Sequence, residues 1–107
     1  MEPPFDLVVR NAVAVTAADV QRCDIGVRGG RVVALAERLG PAGREIEAAG
    51  RTVTPGGVDG HCHLDQPMPE PMRMADDFLS GTRSAACGGT TTVIPFAAQH
   101  KGGSLAD

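Results

Sequence analysis

The stretch that decides the fold is Pro55-Gly56-Gly57-Val58-Asp59-Gly60-His61-Cys62-His63-Leu64-Asp65. Pro-Gly-Gly is a break, since proline cannot donate to a ladder and glycine adopts backbone angles other residues avoid. Behind the break, Val58 to Leu64 reads as a strand. Residues two apart on a strand share a face. His61 and His63 therefore present their imidazoles to one side, and Cys62 turns to the other. Two neighbouring imidazoles suit a first-row metal ion such as zinc. Taken alone, the triplet is also what two polar residues on one strand face look like. Asp59 lies on the imidazole face, one layer deeper. It reads either as a partner that fixes an imidazole tautomer or as a turn carboxylate.

Downstream, a loop rich in Pro and Met runs from Gln66 to about Met74. Ala75 to Cys87 carries a helical pattern, with Phe78, Leu79, Thr82, Ala85 and Ala86 on one stripe. Asp76 and Asp77 suit the positive end of its dipole, and Gly88-Gly89 suits its stop. Thr90 to Ile94 is a buried-type strand that Pro95 ends. Strand, helix and strand from 58 to 96 make one βαβ unit. A parallel β/α barrel places its ligands at the C-terminal end of its strands, where His61 and His63 fall.

Upstream, residues 1–55 read as a small β-unit. Leu7-Val8-Val9 and Ala12 to Thr16 are extended runs divided by Arg10-Asn11. Asp24 to Arg28 and Arg31 to Leu35 flank Gly29-Gly30, a strong hairpin signal because primed turns need positive φ. Arg44 to Ala48 and Arg51 to Thr54 are two further short pieces.

Composition narrows the function classes. The 107 residues carry a net charge of −3, and a single lysine, Lys101, stands among scattered arginines. No basic patch addresses nucleic acid, and no run approaches the ~18 to 20 apolar residues that span a bilayer. Met1-Glu2-Pro3-Pro4 has neither a basic nor an apolar leader region. Cys23, Cys62 and Cys87 are an odd, widely spaced set, which fits buried reduced thiols in a cytoplasmic protein. His100 and Lys101 read as loop residues.

Three blocks resemble the hydantoinase and dihydropyrimidinase branch of the cyclic amidohydrolases. Pro55 to Asp65 is similar to the start of their barrel, Ala75 to Arg83 to the next helix, and Gly88 to Val93 to the second barrel strand. The N-terminal β-unit is similar to theirs too. The resemblance implies an α/β fold in which 1–55 is part of a small β-sandwich domain. Residues 56–107 would then be the first strand-helix-strand of a TIM (β/α)8 barrel. It implies a hydrolase of C–N bonds that opens cyclic amides of the hydantoin or dihydropyrimidine type with metal-activated hydroxide. It makes His61 and His63 ligands of one of two divalent metals, usually zinc, and leaves Asp59 and Asp65 as supporting or pocket residues. The family's bridging carbamylated lysine and catalytic aspartate have no counterpart here. Such a barrel takes about 250 residues, so the chain is expected to be an N-terminal portion, inactive alone, of a parent that is commonly a homo-oligomer.

Departures bear on substrate. Gln66 to Met72 holds two methionines where an aromatic is common, and Pro95 stands where an Asp is common. Asp65 would repel the carboxylate that dihydroorotases hold with an arginine there. Other readings stay open: a D-aminoacylase or cytosine-deaminase-like enzyme, or a non-catalytic β-rich module.

Overall fold

A computed structural model describes residues 3–105. The chain is mostly β with one helix, and it divides into two compact units at Pro55 and Gly56.

The first unit is a five-stranded sheet. Its strands are β1 (Phe5–Val15), β2 (Val20–Arg28), β3 (Arg31–Ala36), β4 (Ala42–Glu47) and β5 (Thr52–Val53). The order is β3-β2-β1-β4, with β5 also on β1. β1 pairs antiparallel with β2 and parallel with β4 and β5. The β2–β3 hairpin turns at Gly29 and Gly30, whose φ values of 57° and 72° are those of a primed turn. Asp6 braces it by accepting the Gly29 amide at 2.6 Å.

Arg10-Asn11 does not divide two strands. It is a bulge inside β1, where the register steps from Val9↔Ile25 to Ala12↔Cys23 and leaves Arg10 and Asn11 opposite Asp24. Asn11 takes φ 53°, which asparagine tolerates better than most residues. The bulge has a consequence for packing. Val9 and Ala12 are an odd number of residues apart and would face opposite ways in a regular strand. With the extra residue between them, Val9 packs against the cluster of Ala12, Ala14, Cys23, Ile25 and Ala48.

Asp24 holds the bulge from across the sheet. It is 3% exposed, and its carboxylate accepts the Asn11 amide at 3.0 Å, the Leu39 amide at 3.1 Å and Arg10 Nη1 at 2.8 Å. Burial pushes this carboxyl up. The Asn11 amide, the Arg10 guanidinium and the Leu39 amide outweigh it and hold the group below the ordinary aspartate value. Arg10 also donates to the Leu39 and Gly40 carbonyls and pairs with Glu45. One buried carboxylate thus ties β1, β2 and the β3–β4 loop together.

The second unit holds β6 (Gly57–Cys62), α1 (Phe78–Cys87) and β7 (Thr90–Pro95), with β6 and β7 parallel. β6 stops at Cys62, one residue short of His63. α1 starts at Phe78 and not at Ala75, because Asp77 caps it. The Asp77 side chain accepts the Ser80 amide at 2.7 Å, and the Ser80 hydroxyl accepts the Asp77 amide at 3.1 Å. This is a reciprocal capping box. The helix ends over Gly88, and Gly89 at φ 90° redirects the chain into β7. The expected apolar stripe is not covered within this unit: Phe78 is 51% and Leu79 68% exposed. Gly81 is the buried helical residue, and Leu64 lies against it.

Candidate functional site

His61 lies in β6, and His63 follows immediately after its C-terminal end. Their ring centroids are 5.5 Å apart with an interplanar angle of 53°. A third ring joins them. Phe96 sits 4.7 Å from His61 and 4.5 Å from His63, and its plane lies within 7° of the His63 plane. The sheet register explains the meeting. Cys62 pairs with Pro95, and the Phe96 amide donates to the Cys62 carbonyl at 3.0 Å. The residue after Pro95 therefore arrives beside the residues flanking Cys62.

His63 has a polar partner as well. Its Nδ1 is 2.6 Å from Gln66 Oε1, three residues on. The turn between them runs through Asp65, whose φ of 48° is left-handed. The Asp65 amide donates to the Asp76 carbonyl at 3.1 Å, which closes the loop that starts at Gln66. Asp65, Gln66, Met68, Met72 and Asp76 line a concavity of about 450 Å³. Asp59 is exposed, and its carboxylate accepts the His61 backbone amide at 3.0 Å. That is the geometry of a turn carboxylate.

Catalytic zinc takes three protein ligands and keeps a position open. Here two imidazoles come together, and among the described residues no group of three or more His, Cys, Asp or Glu side chains does. The pair fits as part of a donor set and not as a whole one. The thiols are ordinary by comparison. Cys23 is buried and Cys62 half-buried, while Cys87, expected to be a buried thiol, is exposed.

Relatives place the chain. Over 103 residues it is 43% identical to the D-hydantoinase of Ralstonia pickettii, a match that takes in 96% of the chain. The chain is a relative of the D-hydantoinases. It overlays a solved D-hydantoinase structure with a TM-score of 0.88 at 43% identity, over 95% of the chain and 22% of that structure. It is also 38% identical over 90 residues to the allantoinase of Salmonella paratyphi B, covering 84% of the chain and 19% of that enzyme. No protein-family model matches. The chain spans about 22% of the length of the D-hydantoinases it matches and corresponds to their N-terminal part.

Within this hydantoinase relative, the sequence alone paired His61 with His63 and missed Phe96. The signal lay in the parallel pairing of β6 and β7, which no single strand displays. Among the described residues, no helix is long and apolar enough to cross a membrane.

Proposed function

We propose that the chain supplies the first metal-binding element of a hydrolase that opens cyclic amides of the hydantoin or dihydropyrimidine type. The observation that carries this is the placement of His61 and His63 side by side at the C-terminal end of a parallel strand, in a chain 43% identical to a D-hydantoinase. Parallel β/α barrels gather their ligands at that end of the strands. We read residues 1–55 as part of a β-sandwich domain. Residues 56–107 are then the first strand-helix-strand of a TIM barrel.

In this reading His61 and His63 hold a divalent ion, usually zinc, and β6 fixes their spacing. The chemistry such an ion supplies when bound is polarisation of a carbonyl and acidification of water. Phe96 packs against both imidazoles and backs the ring of His63. Asp65 shapes the loop beside them, and Asp59 fixes the backbone under His61. The remaining donors and the group that moves the proton lie outside this chain's residues.

Zinc titration of the purified chain tests the proposal. The native chain takes up zinc weakly, and His61→Ala with His63→Ala abolishes that uptake. Equal binding by both would mean the histidines are not ligands. Hydantoin or dihydrouracil is not opened by the chain with added zinc, and turnover would show that two ligands suffice.

A further inference from the structure

We infer that Gln66 is a positioning residue for His63, its side-chain carbonyl fixing the imidazole as the Nδ1–H tautomer and leaving Nε2 as the free ligand nitrogen. The inference rests on the reading of His63 as a metal ligand.

A neutral imidazole carries one proton, and the partner of one nitrogen decides where that proton sits. Among the described residues, the side-chain partner of His63 Nδ1 is Gln66 Oε1, at 2.6 Å. A carbonyl oxygen at that distance requires the proton on Nδ1. Two further features hold the arrangement. Asp65 at φ 48° turns the chain so that Gln66 comes back against His63. Phe96 lies flat on the imidazole at 4.5 Å and opposes rotation of the ring out of its plane. His61 is held differently. It has ring contacts with His63 and Phe96, and its hydrogen bond to Asp59 is made by the backbone. The two imidazoles are therefore unequal: His63 is set before any ion arrives, and His61 is free to adjust.

Metal-binding histidines usually donate their second nitrogen to a carboxylate, a backbone carbonyl or water, and losing that partner typically weakens metal binding by 10- to 100-fold. Here the partner is a neutral amide, which orients the ring without adding charge.

Long-range proton–nitrogen correlation spectra of the metal-free, 15N-labelled chain read the tautomer directly. They are recorded at mildly alkaline pH, where a free imidazole is neutral. His63 is expected as the Nδ1–H tautomer. Gln66→Ala moves it toward the mixture of a free imidazole, Gln66→Glu restores it, and His61 is unchanged in both. Zinc affinity falls about tenfold or more in Gln66→Ala and recovers in Gln66→Glu. An Nε2–H tautomer in the native chain, with the Gln66 amide turned to donate, overturns the inference. So does a tautomer that ignores Gln66→Ala. If the tautomer follows Gln66 but the native chain takes up no zinc, the metal reading fails and the tautomer assignment stands.

Discussion

Asp24 shows how much one side chain can organise. Its three donors come from both residues of the bulge and from the β3–β4 loop. Removing a buried acceptor leaves its donors unsatisfied, a larger loss than the bond itself contributes. Asp24→Ala should lower the stability of the first unit by about 3 kcal/mol, read as a lower urea midpoint. The pH dependence follows from the direction of the shift. A carboxyl held below its ordinary value of 3.8 stabilises the fold above that value and loses the contribution as pH falls through its lower, folded value. The acid limb of the stability curve should therefore flatten in Asp24→Asn. Asp77 behaves alike at the helix start, where the Ser80 amide is the main cause that lowers it. Asp77→Ala should cut the helical signal and speed exchange of the Ser80 amide, with Asp77→Asn closer to the native chain.

At the scale of elements, what could be read in advance was whatever depends on neighbours in sequence. Gly29-Gly30 announced its hairpin because both residues need positive φ. Gly88-Gly89 announced the helix stop through Gly89, which takes positive φ, and the two-residue spacing of His61 and His63 announced their shared face. Features set by a second strand stayed hidden. Arg10-Asn11 looked like a divider because nothing local shows that Asp24 will cross the sheet to hold a bulge there. The helix start slid by three residues because Ala75 to Asp77 suits a helix by composition, while the Asp77–Ser80 cap decides where it begins. Phe96 depended on the β6–β7 register.

Two element-scale predictions follow from the same geometry. An Asn at position 29 keeps the positive φ and restricts the unfolded chain, so Gly29→Asn should stabilise the hairpin by about 0.5 kcal/mol. At Gly81, a Cβ would overlap the Leu64 side chain. Gly81→Ala should cost about 1 kcal/mol by overpacking, despite the better helix propensity of alanine. A double-mutant cycle with Leu64→Ala should recover part of that loss.

For the molecule as a whole, the buried apolar residues are unevenly shared. Val8, Ala12, Ala14, Cys23, Ile25 and Ala48 all belong to the first unit. In the second, Val58, Phe78, Leu79, Ile94 and Phe96 are exposed, and among the described residues β6 and β7 each have one unpaired edge. Exposed apolar surface and open edges favour association. Hydrogen exchange should find slow amides concentrated in β1 and β2 and fast ones across residues 57–95. Dye binding and light scattering should rise with concentration. A chain whose slowest amides lay in β6 or β7 would contradict this division.

The strand order of the first unit also sets a timetable. β1 is synthesised before β2 to β5, yet it lies inside the sheet, with β2 on one edge and β4 and β5 on the other. The hairpin with β2 and β3 can form from local contacts. The opposite edge stays bare until β4 has left the ribosome, and its far end at Val13 and Ala14 until Thr52 and Val53 follow. Contacts so distant along the chain are slow to form. A growing chain halted before Glu47 should therefore expose the open side of β1 to chaperones and to other nascent chains.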